Sequence, residues 1–355
     1  MADTESNRIE SNRNNGTANR QYPYDVVRVV AMVFVIAVHS LTMIDTSWSL
    51  GWYLFAAGQG LFFTANALFF MLSGKFNLRE RKDDRAMLDY YRKRVRNFLI
   101  PIAILFFIRT LYNLYPHFGS LYHIGWEYLR NSIAIFGGME YWFVFNLFGY
   151  LIVAPFLAPM IGKLTPLSRK IFFGIGIAYH TALFVFANLT IDFSWGYLFS
   201  GFAFTFCLGG FVEDLFPDKR SLTWLGAASL VCLGAIVLCA REGWMAGLHD
   251  ISPFYTILAV GVYLLVIAGV KRLKPNRVVS FLAQHSFSVY LVHMMFLMPI
   301  SNALSGMFAG PASIAAYLAV VAIVLACSIA TAAVIDAVIV KPVQRLFDKA
   351  VPAKR

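Results

Sequence analysis

Asp25, Arg28 and His39 sit inside the apolar run YDVVRVVAMVFVIAVHS, which extends from Tyr24 to Ser40. Arg28 and His39 are eleven residues apart. At about 100° per residue, eleven helical steps return to within roughly 20° of the starting direction, so the two side chains share one face about 16 Å apart along the axis. A guanidinium or imidazole inside a bilayer is costly, and it usually faces the bundle interior on a functional path. An imidazole, with an unperturbed pKa of about 6.5, can take and return a proton or carry a group transiently. A guanidinium fork holds phosphate or carboxylate through two hydrogen bonds at once. The structural alternative is an Arg that anchors the helix end and a His that packs as a polar neighbour.

Four other groups could join such a site. Tyr290 and His293, in SFSVYLVH, are three residues apart and share a helix face; a packed polar pair between helices is the alternative. Glu140 opens a later apolar run, as an acid/base group or as an interfacial carboxylate. The stretch YYRKRVRNFLIP supplies Arg92, Lys93, Arg94 and Arg96. As a basic flank it orients the following helix, and it also suits a phosphate cradle. Ser73-Gly74 closes the apolar stretch NALFFMLSGKF, where Gly suits a helix C-cap. Arg109 either meets an acceptor or pairs with Asp45, Glu140 or Asp192, while His180 and His285 are read as satisfied packing histidines. Cys207, Cys232, Cys239 and Cys327 fall inside apolar runs without metal-ligand spacing, so no metal site is expected.

These side chains need a scaffold that tolerates them in lipid. The chain has 355 residues, 59% hydrophobic and only 14% charged, against about 25% charged in soluble domains. With about 20 apolar residues needed per crossing, ten spans are expected near 24–44, 52–74, 98–115, 141–162, 171–188, 194–213, 221–240, 253–270, 278–300 and 313–340. The expected fold is an all-α polytopic membrane protein, one bundle of about ten transmembrane helices. Residues 1–21 are polar and read as a disordered cytoplasmic tail, 22–345 as the membrane domain, and 346–355 as a second cytoplasmic tail. With both termini cytoplasmic, 27 of the 30 Lys and Arg fall on the inner side, as the positive-inside rule requires. The net charge of +11 is therefore placed for a membrane and not for nucleic acid.

Several motifs together resemble one family. Arg28, ten intervening residues and His39 within a D-x-x-R start, the Phe-rich run ending at Ser73-Gly74, and the basic residues before Pro101 are similar to the acyltransferase-3 family. So are Trp142-Phe143 with Pro155 and the Tyr290-Leu-x-His293 element. The resemblance covers residues 22 to about 295 and includes bacterial O-antigen and exopolysaccharide O-acetylases. It implies a multi-pass cell-membrane enzyme that moves an acyl group, acetyl being the expected one, from cytoplasmic acyl-CoA to a hydroxyl of an envelope glycan or lipid-linked sugar. It implies His39, Arg28, Glu140 and His293 as catalytic residues, and Arg28, Ser73, Arg92, Lys93, Arg94 and Arg96 as the donor site, without a metal. No SGNH-type domain follows the tenth span, so the bundle is expected to be the whole catalyst. A transporter or flippase of a polar lipid or sugar would also explain a buried Arg and His. It does not need a basic cluster beside a Ser-Gly helix end, and internal repeats, common in transporters, are not evident.

Overall fold

The computed structural model describes residues 2–114, 125, 126, 130, 141–191, 201–244 and 252–352, with the backbone alone at 2–20, 113 and 114. Among the described residues every regular element is a helix, and nine runs are long and apolar enough to cross a membrane. The protein is an all-α polytopic membrane protein, as expected.

The first span, Gln21–Met43, is the apolar part of α1 (Ala2–Ser40), which continues back through the segment that composition reads as a tail. The second span consists of α2 (Ser49–Phe62) and α3 (Thr64–Asn77), interrupted at Phe63. There the Thr64 hydroxyl donates to the Leu61 carbonyl at 2.6 Å, a side-chain bond that competes with the backbone ladder and bends helices. The third span begins earlier than its apolar content suggests. The basic stretch forms α4 (Asp84–Arg94), capped by Asp83 through the Ala86 amide, and a π-turn at Val95–Leu99 carries it into α5 (Ile100–Leu114). Then follow α6 (Trp142–Gly162) and α7 (Pro166–Asn188).

The expected span 194–213 differs. Residues 192–200 lie outside the described set, and the remainder forms two short helices, α8 (Ala203–Leu208) and α9 (Val212–Leu215), separated by Gly209-Gly210-Phe211. The reason is a backbone crossing. A side chain on Gly74 would strike the Phe206 carbonyl oxygen, and one on Gly209 would strike the Met71 carbonyl oxygen. Gly74 therefore does not terminate its helix, as its position after the apolar run suggests; α3 continues to Asn77, and the missing side chain lets α8 lie against it.

The remaining spans are α10 (Lys219–Arg241), α11 (Pro253–Val270), α12 (Arg277–Leu304) and α13 (Ala312–Ile335). Asp218, Ser252 and Asn276 cap α10, α11 and α12 by accepting from the amides of Ser221, Tyr255 and Val278. A second π-turn, Asp336–Val340, joins α13 to α14 (Lys341–Ala350), so part of the expected C-terminal tail is helical. α1 is central, packed against α3, α11, α12 and α13. Its buried residues Val27, Ala31 and Val35 join one apolar core and Met32, Ile36 and Ala37 another, which leaves the Arg28–His39 face to meet α3 and α12.

Candidate active site

A cavity of about 380 Å³ opens between α1, α3, the turn after α4, α6 and α12. Arg28 of α1, Ser73 and Asn77 of α3, Arg94 and Asn97 from the basic stretch, and Ser286 and Tyr290 of α12 supply its polar wall. Phe69, Phe76, Phe98, Phe143 and Phe287 supply much of the apolar one. Arg28 and Arg94 lie 66 positions apart in sequence and line the same cavity.

The two guanidiniums are held differently. Arg28 Nη1 donates to Asp25 Oδ1 at 2.6 Å, and its Cζ sits 5.1 Å from the Phe76 ring centre. The Asp25 carboxylate, one turn back, thus steers Arg28 and offsets part of its charge. Arg94 stacks its Cζ 5.0 Å from the Tyr90 ring centre, and its Nε is buried without a hydrogen-bond partner. Among the described residues Arg94 has no ion pair. A buried unpaired donor costs about 1–3 kcal/mol, more for a charged group. An anion in the cavity would remove that cost.

The rest of the basic cluster turns elsewhere. Arg92 Nη2 donates to Asp348 Oδ1 at 2.7 Å, and Arg96 Nε to Asp348 Oδ2 at 2.8 Å. Both hold α14 in place. Lys93 pairs with Asp89 at 2.7 Å on the exposed side of α4. The helical period explains the split: Arg92 and Arg96 are four apart and share a face, while Arg94 lies about 200° from Arg92. Of the four basic residues expected in a phosphate cradle, only Arg94 lines the cavity. Lys75 is likewise engaged, 2.8 Å from Glu213, which also accepts from the Tyr24 hydroxyl at 3.0 Å. That network ties α1, α3 and α9 together beside the site.

Tyr290 leads from the cavity to a pair of histidines. Its ring centre is 5.7 Å from that of His293, and His293 is 5.6 Å from His39. His293 is buried, and its Nδ1 lies 2.6 Å from the Tyr290 carbonyl oxygen. A carbonyl only accepts, so Nδ1 carries the hydrogen, and in the neutral ring the lone pair is on Nε2. That Nε2 is buried without a hydrogen-bond partner among the described residues. His39, in the last turn of α1, presents exposed surface although protein atoms surround most of its ring. An accessible imidazole beside a buried one of fixed tautomer is suited to taking a proton from a substrate hydroxyl and relaying it.

Arg28, Ser73 and Arg94 are thus brought to one cavity, and His39 and His293 to one pair beyond Tyr290. Glu140 lies outside the described residues. Sequence reasoning passed over Asn77 and Asn97, although a lone amide beside a basic run that enters an apolar helix was a usable signal. His285, read as a packing histidine, bonds Asp336 through Nδ1 at 2.6 Å, and Ser288 donates to the same carboxylate at 2.8 Å. Both ties fasten the second π-turn to α12.

Comparison with curated proteins returned no match, nor did comparison with solved structures. The family model described as an acyltransferase domain, Acyl_transf_3, matches residues 22–333 and so takes in every wall of the cavity and both histidines. The chain is therefore a multi-pass membrane protein of the acyltransferase-3 family, and it belongs among the acyltransferases.

Proposed function

We propose that this acyltransferase takes an acyl group, acetyl first among the candidates, from cytoplasmic acyl-CoA. It delivers the group to a hydroxyl of an envelope glycan or lipid-linked sugar at the outer side of the cell membrane. The observation that carries the reading is the continuity from Arg28 and Arg94 at the cavity wall, past Tyr290, to the His39–His293 pair.

In this reading the guanidiniums meet donor phosphates through charge-assisted bonds, and Ser73 and Asn77 line the path of the pantetheine arm. The roughly 16 Å from Arg28 to His39 is comparable with that arm's reach. His39 takes the proton from the acceptor hydroxyl as the oxygen bonds to the thioester carbonyl carbon. The C–S bond then breaks, and the CoA sulfur leaves with the proton. If His39 instead carries the acyl group, its ring nitrogen bonds the carbonyl carbon as the C–S bond breaks, the acceptor oxygen then bonds that carbon as the C–N bond breaks, and the acceptor's proton ends on the CoA sulfur. The positive-inside count supports an inner donor side and an outer acceptor side.

The test is acyl transfer by purified protein in lipid nanodiscs, with mass spectrometry of surface glycans from a deletion strain. Loss of a 42-Da acetyl mark in the strain is expected, about the mass added when acetyl replaces a hydroxyl hydrogen. A lost succinyl mass would change the donor, and an unchanged glycan profile together with no transfer in vitro would overturn the reading in favour of transport.

A further inference from the structure

A second cavity, of about 260 Å³, adjoins the first and shares Asn97 and Phe287 with it. It lies between the turn after α4, α12 and the second π-turn, with Gln284, Lys341 and Gln344 on its wall. Nothing in the acyl-transfer chemistry above uses these residues.

Their hydrogen-bonding state is informative. Asn97 Oδ1 accepts from Arg96 Nη1 at 2.7 Å, which orients the amide and leaves its Nδ2 as a donor. Gln344 Nε2 donates to the Arg96 carbonyl at 2.9 Å, which leaves its Oε1 as an acceptor. Neither remaining atom is bonded among the described residues. Two carboxamides, each tied to Arg96 by one atom, offer one donor and one acceptor on the same wall, the functions that complement the amino donor and ring-nitrogen acceptor on the edge of adenine. Phe287, whose ring already stacks on Phe98 at 5.0 Å, adds aromatic surface to the wall for a base. Lys341 adds a cation for a phosphate. The one acidic group on the wall, Asp336, already has its two oxygens bonded by His285 and Ser288.

We propose that this second cavity is the subsite for the adenosine end of the acyl-CoA donor. The adenine edge pairs with Asn97 and Gln344, its ring lies on Phe287, and the ribose phosphate meets Lys341. The pyrophosphate then bends past Asn97 to Arg94, and the pantetheine arm enters the first cavity. This rests on the acyl-CoA reading above and adds where the nucleotide goes.

The experiment compares two donors, acetyl-CoA and S-acetylpantetheine, the second lacking the nucleotide altogether. Michaelis constants are measured in nanodiscs for the wild type, Gln344→Ala, Lys341→Ala and Gln284→Ala, with thermal unfolding alongside. Gln284 is exposed and carries no described hydrogen bond, so its truncation leaves packing intact. For acetyl-CoA the KM should rise about 10-fold or more in Gln344→Ala and Lys341→Ala, the size expected for one lost polar contact. For S-acetylpantetheine it should stay within 2-fold, and Gln284→Ala should fall between. Equal changes for both donors, or none for acetyl-CoA, overturn the subsite while the donor reading stands. A wild type that turns over neither donor, nor any other acyl-CoA, overturns both.

Discussion

The rings of His39 and His293 lie 5.6 Å apart, centre to centre, tilted by 32°, although 254 positions separate them in the chain. The Tyr290 carbonyl fixes the buried ring with its lone pair on Nε2. The accessible ring is thus the one placed to meet substrate. His39→Gln keeps polarity without basicity and should lower acyl transfer at least about 100-fold, with membrane insertion and acyl-CoA binding retained. His293→Gln should lower kcat with little change in the donor KM. Most activity surviving in purified His39→Gln would make His39 structural and bring Glu140 and His293 forward.

Arg94 and its neighbours should separate cleanly. Arg94→Ala removes a cavity-wall cation and should weaken acyl-CoA binding about 10-fold or more, with the loss growing at low salt. Arg92→Ala and Arg96→Ala break part-buried pairs to Asp348, of the order of 1 kcal/mol each. They should loosen α14 and weaken donor binding less than Arg94→Ala does, because they reach the donor only through α14 and, for Arg96, through Asn97. Isothermal titration of the three variants decides it, and equal losses at all three would return phosphate binding to the whole cluster.

Gly74→Ala pits propensity against packing. Ala is better than Gly in a helix interior by about 1 kcal/mol, but its Cβ would strike the Phe206 carbonyl oxygen, a backbone atom with little room to move. Overpacking costs about 1–3 kcal/mol, so a lower unfolding temperature is expected in detergent. A stabilised Gly74→Ala protein would mean that α3 and α8 do not cross this closely.

Asp84→Cys should resist an impermeant thiol reagent in intact cells, and Thr46→Cys should react. Nine Lys and Arg between residues 75 and 97 resist translocation, which would keep the first site inside, and one span separates the α1–α2 connection from the N-terminus. Both positions are exposed. External labelling of Asp84→Cys would reverse the orientation proposed for donor and acceptor.

Asp45 joins the α1–α2 connection to the turn before α13. Its Oδ2 accepts from the Gly310 amide at 2.7 Å and its Oδ1 from the Ser47 amide at 2.9 Å. The Gly310 bond, followed by those from Ser47, holds the carboxyl below its ordinary range. Its contribution is therefore complete above the unfolded value, about 3.9, and is lost as pH falls through the lower folded value. Protection of the Gly310 amide, taken relative to its intrinsic exchange rate at each pH, should fall in that acid window and show no such step in Asp45→Asn. Identical acid profiles in the two proteins would refute the role.

What the sequence alone determined was local. Apolar content set eight of the spans to within a few residues, because crossing a bilayer depends on about 20 consecutive side chains and little else. The shared face of Arg28 and His39 followed from the helical period. Tertiary structure decided the rest. Periodicity put Arg94 opposite Arg92 and Arg96, but which face met a cavity depended on Asp348, some 250 residues on. Gly74 looked like a terminator because nothing nearby announced the Phe206 carbonyl. The span expected at 194–213 and the His39–His293 pair had the same origin, since both depend on segments distant in sequence packing at contact distance, and no local pattern encodes that distance.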